Sequence, residues 1–293
     1  MAKTTYSPLR YPGGKNNLSE YVRDLIYIKK LNKSTYIEPF CGGAAVALYL
    51  LINSHVKNII INDFDRSIYA FWYSVIYDTD RLCTLIKNTD ITITEWHRQR
   101  KIQLNKENED LLSLGFSTLF LNRTNRSGII KAGVIGGQEQ KGIYKLDCRF
   151  NKDKIIEKIM LISQHRDNIS IYNLDIQDLI SNVIVDISNK SFIFFDPPYY
   201  NKGSSLYTNF FKHENHLELS KSIKKIKYHS WIVTYDNLLN IKNMYKGFLK
   251  EEYKLNYSVK EKYKGEEVII YSNTLRKAVE KETSTIFNYC ERV

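Results

Sequence analysis

The sequence lacks the cysteine patterns of metal-binding and disulfide-rich proteins, and it lacks long apolar runs. Its 293 residues include four cysteines: Cys41, Cys83, Cys148 and Cys290. No two of them form a Cys-x-x-Cys pair, and no histidine lies near them at zinc-ligand spacing, so neither a metal site nor a disulfide framework is indicated. No N-terminal segment resembles a signal peptide, and no run approaches the roughly 20 apolar residues that span a bilayer. We therefore expect a soluble cytoplasmic protein with reduced thiols, without a metal and without membrane contact.

Motifs that bind phosphate groups are also missing. The turn at Gly42-Gly43 does not fit the G-x-G-x-x-G pattern of dinucleotide-binding proteins, and no Walker lysine with its following Ser or Thr is present. Internal repeats and low-complexity tracts are absent as well. A cofactor at this turn would therefore fit better if it carried no phosphate groups.

What the chain has in excess is positive charge. Its formal net charge is +11 and its pI is about 9.2, while 43% hydrophobic and 26% charged residues are typical of a globular protein. A surplus of this size favours a polyanionic partner such as nucleic acid. An AT-rich genome, which enriches Lys, Ile and Asn, would produce the same excess, so charge alone is weak support.

A strand, a glycine turn and a helix follow one another from Thr35 to Leu51. A second strand over residues 58–61 ends at Asn62-Asp63, which completes a βαβ unit. A tight glycine turn lets a cofactor approach the backbone at a helix N-terminus, and a carboxylate that ends the next strand can accept hydrogen bonds from ribose hydroxyls. Asp63 has the position for that role. A turn of purely structural purpose is the alternative.

Asp196-Pro197-Pro198-Tyr199 directly follows an apolar run that ends at Phe195. Two prolines hold the Asp196 carboxylate and the Pro197 carbonyl almost without conformational freedom. Together these two groups can accept both hydrogens of an exocyclic amine, while the tyrosine ring stacks on the heterocycle. The motif thus predicts a site for a nucleobase amine, and an ordinary tight turn is the alternative.

Residues 81–166 differ in character from the rest of the chain. Polar helical stretches lead to Leu119–Gly128, and a basic, glycine-punctuated stretch over residues 129–151 predicts a hairpin or a looped ribbon. We interpret 81–166 as an insertion into a sheet domain formed by 1–80 and 167–293. Strands resume over residues 169–172, 192–195, 231–234 and 267–271, and the last two suggest an antiparallel edge on a mainly parallel sheet.

Three motifs in this order resemble those of the Dam-type, D12 class DNA adenine-N6 methyltransferases. They are Arg10–Lys15, Glu38–Gly43 and Asp196–Tyr199, and Asn122–Gly128 resembles the start of the family's DNA-reading hairpin. The resemblance spans nearly the whole chain. It implies an α/β fold: a Rossmann-like methyltransferase sheet flanked by helices, with an inserted DNA-recognition domain that is mostly helical plus a hairpin.

The resemblance also implies a cofactor, S-adenosylmethionine, and the residues that bind it. These are Tyr11, Lys15, Glu38, Phe40, Gly42, Asp63, Asp175 and Asp196. Tyr11 would otherwise be a packing aromatic side chain and Lys15 a solvated surface charge. Asp175 fits equally well as the N-cap of a helix over residues 176–183, and the two roles are compatible.

In the insertion, side chains suited to phosphates and base edges follow one another: Arg123, Asn125, Arg126 and Ser127. A solvated loop is the alternative. Thr124-Asn125-Arg126 replaces a more aromatic stretch of well-studied relatives, so no recognition sequence can be transferred from them.

The resulting prediction is site-specific methylation of adenine N6 in double-stranded DNA, with Asp196, Pro197, Pro198 and Tyr199 as catalytic residues and the base flipped out of the duplex. Methylation of cytosine N4 or of adenine in RNA stays open, because the same motif serves any exocyclic amine. A noncatalytic DNA-binding protein is the alternative from another class. We expect a monomer, and a cognate restriction endonuclease is a candidate partner.

Overall fold

The computed structural model of the protein describes residues 5–11, 14–200, 211–259, 261–281 and 291–292, so Pro12, Gly13 and Cys290 lie outside the described residues. A mixed sheet forms the centre, with the strand order β3-β2-β1-β4-β5-β7-β6-β8. Its strands are β1 (Thr35–Glu38), β2 (Asn58–Asn62), β3 (Ile169–Tyr172), β4 (Phe192–Phe195), β5 (Ser230–Asp236), β6 (Leu249–Val259), β7 (Glu261–Tyr271) and β8 (Glu291–Arg292).

Helices connect the strands and cover both faces of the sheet. In chain order they are α1 (Ser19–Ile28), α2 (Ala45–Ile52), α3 (Arg66–Tyr77), α4 (Thr79–Asn88), α5 (Ile93–Leu104), α6 (Leu111–Thr124), α7 (Lys152–Ser163), α8 (Ile176–Leu179), α9 (His213–Lys225), α10 (Leu239–Met244) and α11 (Asn273–Lys281). Side-chain caps mark several starts, for example Asp65 at α3 and Asp110 at α6, whose carboxylates accept backbone N–H groups of the first turn.

The central strands β1, β2 and β4 are mainly apolar because both of their faces are buried. Tyr36 of β1 belongs to the core on one side of the sheet and Ile37 to the core on the other. Phe194 and Phe195 of β4 divide in the same way. Neighbouring side chains of a strand point to opposite faces, so a strand covered by helices on both sides needs apolar residues at most of its positions. This explains why the sequence pattern located these three strands correctly.

The antiparallel edge is larger than predicted. β5 pairs with β4 in parallel and with β7 in antiparallel orientation, so the predicted antiparallel pairing of the last two strands is confirmed. However, β5 itself belongs to the parallel part, and the edge also contains β6 and β8. β6 was not predicted, because charged residues at 250, 251, 252 and 254 interrupt any apolar run.

Residues 81–166 pack against the sheet domain and share its core. The predicted boundary at residue 81 falls inside α4, and the boundary at 166 precedes β3. Leu119, Phe120 and Ile159 belong to the same hydrophobic cluster as Tyr36 of β1. Residues 81–166 are mostly helical, and their helices extend the core around the sheet.

The regular hairpin predicted between residues 129 and 151 does not form in the described chain. Asn125 and Val134 make an isolated antiparallel bridge, and turns follow. The Gln140 amide donates to the carbonyls of Ile135 and Gly137, and its oxygen accepts the N–H of Leu146. The Gln140 side chain thus bonds to backbone groups that would pair with another strand in a β-hairpin. The segment is therefore looped, which is the alternative to a hairpin that the sequence left open.

The residues that the structure describes include neither a helix that could span a membrane nor a group of side chains that could hold a metal ion. None of their helices combines the length and apolarity needed to cross a bilayer. Their His, Cys, Asp and Glu side chains form no group of three that could hold a metal ion.

Candidate active site

A cavity of about 690 Å³ opens at the carboxyl ends of the parallel strands. Open α/β sheets bind their ligands at this edge. All the predicted cofactor residues except Gly42 line the cavity: Tyr11, Lys15, Glu38, Phe40, Asp63, Asp175 and Asp196. Pro198 lines it as well, whereas Pro197 and Tyr199 do not. The fold thus brings motifs that are far apart in the chain to one cavity.

The glycine turn after β1 is packed tightly against Tyr11. Gly42 has φ +44°, and a Cβ atom there would lie 2.6 Å from the Tyr11 ring. Its N–H donates to Asp63 Oδ2 at 2.9 Å, and its carbonyl accepts from Trp72 Nε1 at 2.9 Å. A side chain at position 42 would displace the Tyr11 ring, so the turn needs glycine both for its conformation and for this contact.

Two carboxylates border the cavity at the ends of β1 and β2. Glu38 Oε2 accepts the N–H of Ala47 in the first turn of α2 at 3.2 Å, and burial raises the pKa of Glu38 well above its usual range. Asp63 Oδ1 accepts the N–H of Asp65 at 2.9 Å. Burial, and then the nearby Asp65 charge, raise the pKa of Asp63 to about 7. Each carboxylate is oriented by backbone N–H groups and can accept further hydrogen bonds.

Asp175 and Phe40 complete this end of the cavity. The Asp175 side chain accepts the N–H of Gln177 at 2.8 Å, so Asp175 is the N-cap of α8, as the sequence suggested, while it also lines the cavity. The helix predicted over residues 176–183 is α-helical only as far as Leu179, and a π-helical turn follows from Ile180. The Phe40 ring contacts Phe211 edge-on, with 6.0 Å between centroids.

Asp196 follows β4 directly and is held by two neighbours. Its Oδ1 accepts the Thr234 hydroxyl at 2.6 Å and lies 3.1 Å from Lys15 Nζ. The Asp196 side chain is 22% exposed and faces the cavity, whereas the Lys15 side chain is 3% exposed. Burial raises the pKa of Asp196, the Lys15 charge opposes this rise, and the charge of Glu267 adds to it.

Tyr199 lies beneath the site rather than in the cavity wall. It is 7% exposed, its hydroxyl donates to Glu267 Oε1 at 2.5 Å, and Lys15 Nζ donates to the same hydroxyl at 3.1 Å. The sequence predicted that the Tyr199 ring stacks on the substrate base. In this structure the ring is enclosed, so stacking would require it to leave these partners.

Sequence reasoning missed Glu267, Thr234 and Tyr253, which surround the catalytic motif from the other side. Glu267 is 2% exposed and accepts the Tyr253 hydroxyl at 2.6 Å. The one sequence pattern that marks Glu267 is a charged residue at the start of the apolar run at residues 268–271. Its partners belong to distant segments, so the pattern could not show what it contacts.

The four predicted DNA-binding residues have different positions. Asn125 is completely buried: Trp96 Nε1 donates to its oxygen at 2.7 Å, and its amide donates to the carbonyls of Ile129 and Ile130. The predicted contact of Asn125 with DNA would therefore require another conformation, because its side-chain oxygen and amide are both hydrogen-bonded within the protein. Arg126 and Ser127 are exposed.

Arg123 lines the same cavity together with Arg10 and Lys158. Arg123 donates to the carbonyls of Pro8 and Arg149, and its buried Nε has no hydrogen-bond partner. Lys158 Nζ donates to the carbonyls of Thr5 and Ser7 at 2.6 and 3.2 Å. Burial, and then the Arg10 charge, lower the pKa of Arg123 to about 10. This wall of the cavity is cationic, while the opposite carboxylates make the rest acidic.

A parallel sheet with a glycine turn, a carboxylate after the second strand and an Asp-Pro-Pro-Tyr motif at one cavity defines a methyltransferase that acts on an amino group. The chain belongs to the D12 class N6 adenine-specific DNA methyltransferase family, whose family model matches residues 11–264. It is therefore a DNA adenine-N6 methyltransferase, and the resemblance seen in the sequence is confirmed.

Two relatives match most of the chain. The Type II methyltransferase M.MjaIII of Methanocaldococcus jannaschii is 27% identical over 265 residues, which cover 82% of this chain and 88% of the relative. The Type II methyltransferase M.CviBI of Paramecium bursaria Chlorella virus NC1A is 23% identical over 266 residues, with 86% and 91% covered. A solved rRNA methyltransferase, aviRa from Streptomyces viridochromogenes, has a TM-score of 0.36 and 11% identity, with 88% of this chain and 87% of that chain covered.

Proposed function

We propose that this enzyme methylates adenine N6 in double-stranded DNA with S-adenosylmethionine as the methyl donor, and that Asp196 and the Pro197 carbonyl accept the two N6 hydrogens. The observation that carries the proposal is the position of Asp196. Its carboxylate borders the same cavity as Glu38 and Asp63, and Lys15 and Thr234 hold it in one orientation. A flipped base and a cofactor could thus meet at one carboxylate.

The cavity residues fit this cofactor. Asp63 and Asp175 can accept hydrogen bonds from ribose hydroxyls and from an adenine amine, and Phe40 provides an apolar wall. The Asp196 carboxylate favours the positive sulfonium electrostatically. The cavity volume of about 690 Å³ lies within the usual range of small-molecule sites.

We infer that the cationic wall receives the carboxylate of the cofactor's amino-acid portion. Within the described residues, Arg123 and Lys158 donate hydrogen bonds to backbone carbonyls, and the buried Arg123 Nε has no partner. An anion at this wall would gain charge-assisted hydrogen bonds worth about 1.5–3 kcal/mol each. Arg123 would then belong to the cofactor site rather than to the DNA surface for which the sequence suggested it.

Arg123→Met is expected to weaken binding of S-adenosylhomocysteine at least about tenfold and to leave binding of methylthioadenosine unchanged. The second ligand keeps adenine and ribose but lacks the amino-acid portion, so the difference isolates the carboxylate. Calorimetry with both ligands measures it, and the exposed Arg126→Met is the matched control, with both affinities unchanged. If Arg123→Met weakened DNA binding and left both nucleosides unaffected, the residue would instead contact DNA, as the sequence suggested.

The affinity for methylthioadenosine is expected to rise with pH. Because the pKa of Asp63 is raised to about 7, this carboxyl is largely protonated at pH 6 and largely ionised at pH 8. Only the ionised form offers all its lone pairs to ribose hydroxyls, so the dissociation constant should fall about tenfold over this range. Methylthioadenosine has no group that titrates there. A pH dependence that persisted in Asp63→Asn would rule out Asp63 as its source.

The residues of the motif would activate a weak nucleophile. When bound, S-adenosylmethionine supplies an electrophilic methyl group on its sulfonium. Hydrogen bonds from N6 to Asp196 and to the Pro197 carbonyl would favour a tetrahedral nitrogen with its lone pair in line with that methyl group. Asp196 would stabilise the positive charge that develops on N6, and the surplus proton would leave after transfer.

The target amine lies inside a duplex, so we infer that the base is flipped into the cavity at a cost of a few kcal/mol. Arg126 and Ser127 are the exposed residues of the predicted DNA-reading segment, and residues 81–166 would supply most of the phosphate contacts.

One chain carries the cofactor cavity, the catalytic motif and this segment, so we propose that it acts as a monomer. The Type II relatives favour a cognate restriction endonuclease as a partner.

Transfer from labelled S-adenosylmethionine tests the proposal. The protein is incubated with unmethylated genomic DNA and, separately, with RNA, and modified nucleosides are identified and mapped. N6-methyladenine at one short duplex motif is the expected result. N4-methylcytosine, or label in RNA alone, would contradict it.

A further inference from the structure

Glu267 of β7 touches three side chains around the catalytic motif. Its Oε1 lies 2.5 Å from the Tyr199 hydroxyl and 3.4 Å from Lys15 Nζ, and its Oε2 accepts the Tyr253 hydroxyl at 2.6 Å. Glu267 does not line the cavity. It is therefore a buried carboxylate next to the reaction site but separate from the ligands that enter it.

Lys15 lies between this carboxylate and that of Asp196. The ammonium is 3.1 Å from Asp196 Oδ1 and 3.4 Å from Glu267 Oε1, and both the lysine and glutamate side chains are almost fully buried. With Lys15 alone, the charge of Asp196 would be cancelled by an ammonium at hydrogen-bond distance. The second carboxylate gives the three groups a net charge of about −1 when all are ionised.

We propose that Glu267 is a positioning residue for methyl transfer, which holds Lys15 and Tyr199 and keeps the summed charge of Asp196, Lys15 and Glu267 negative. The proposal rests on the proposed function. In the transfer step the N6–CH3 bond forms as the S–CH3 bond breaks, the electron pair of that bond stays on sulfur, and N6 is positive until it loses a proton. A net negative site stabilises this charge in the transition state, whereas a neutral one does so weakly.

The same arrangement predicts the effect of pH on the rate. Among the described residues, the titratable groups that face Asp196 include Lys15, Glu267, Glu38 and the tyrosines 36, 199, 235 and 253. Among them, the charge of Glu267 raises the pKa of Asp196. Removal of that charge therefore lowers this pKa, and the acidic limb of the rate profile should move to lower pH.

Glu267→Gln tests the proposal in the full chain, with single-turnover transfer to unmethylated genomic DNA. The rate constant is expected to fall at least about tenfold. The dissociation constant of S-adenosylhomocysteine should stay within about twofold, because Glu267 does not line the cavity. The acidic limb of the profile of rate against pH should move to lower pH. Glu267→Asp, which keeps the charge, is expected to recover most of the rate.

Glu251→Gln is the matched control. Glu251 lies on the neighbouring strand β6 and accepts the Tyr271 hydroxyl at 2.5 Å, so it too is a carboxylate bonded to a tyrosine. Its rate constant should stay within about twofold of the wild-type value. Wild-type speed and an unmoved pH profile in Glu267→Gln would overturn the proposal. If that variant does not fold, a Glu267→Asp protein as slow as Asp196→Asn would overturn it equally.

The proposed function fails in a different way. Absence of N6-methyladenine with the wild-type protein would refute the reaction itself, before any comparison of variants. Normal wild-type transfer with an unaffected Glu267→Gln would refute only the positioning role.

Discussion

Asp196→Asn is expected to abolish methyl transfer, with a loss of at least about a thousandfold in the single-turnover rate. Asparagine has the shape of aspartate, and its oxygen can still accept the Thr234 hydroxyl that Asp196 accepts at 2.6 Å. It lacks the negative charge that stabilises a positive N6. Its amide also donates hydrogen bonds where an acceptor is needed.

Thermal unfolding separates this loss from a loss of fold. The melting temperature of Asp196→Asn should equal or exceed that of the wild type, because the charge that opposes Glu267 across Lys15 is removed. Asp178→Asn is the control: this aspartate is exposed on α8 and does not line the cavity. Near-normal transfer by Asp196→Asn would refute the assigned catalytic role.

Lys15→Met is expected to have the largest effect on stability. The Lys15 side chain is 3% exposed, and its removal leaves the carboxylates of Asp196 and Glu267 close together without a cation between them. Loss of one partner of a buried ion pair typically costs about 3–5 kcal/mol of unfolding free energy. The rate of transfer should fall as well, because Asp196 would keep its hydrogen bond from Thr234 but lose its contact with Lys15. Denaturant unfolding and single-turnover transfer measure the two effects.

The double variant Lys15→Met/Glu267→Gln identifies the cause. If the loss arises from unbalanced charge, the double variant should recover at least about half of the lost unfolding free energy. The double variant should not recover transfer, because Asp196 would still lack its contact with Lys15. A double variant as unstable as Lys15→Met would show that the lost packing of the lysine chain, rather than charge, is responsible.

The strands were predictable where both faces of the strand are buried. β1, β2 and β4 are covered on both faces, so they appear in the sequence as short apolar runs bounded by turns. β6 was not predictable in this way, since it has charged residues among its apolar ones. The looped segment after Gly128 shows a third case. There the Gln140 side chain competes with a backbone ladder for hydrogen bonds, and no local pattern indicates which partner is preferred.

The sequence by itself determined the chemistry at the ends of the strands. Asp196-Pro197-Pro198-Tyr199 after β4 and Glu38–Gly43 after β1 are local motifs, in which a few adjacent residues determine the turn and the groups it presents. Parallel strands place such turns at the same edge of a sheet, so their meeting at one cavity also followed from the sequence.

The tertiary structure alone decided which side chains support that chemistry. Lys15 meets Tyr199 across 184 residues and Glu267 across 252 residues. Arg123 and Asn125 are two positions apart in a basic stretch. Arg123 lines the cavity at the strand ends, whereas Asn125 is buried in the interior. A charged residue in a sequence has no visible partner, and only packing determines whether it meets water, an opposite charge or a ligand. For this reason the sequence placed Lys15 at the cavity but could not show that it lies between two carboxylates.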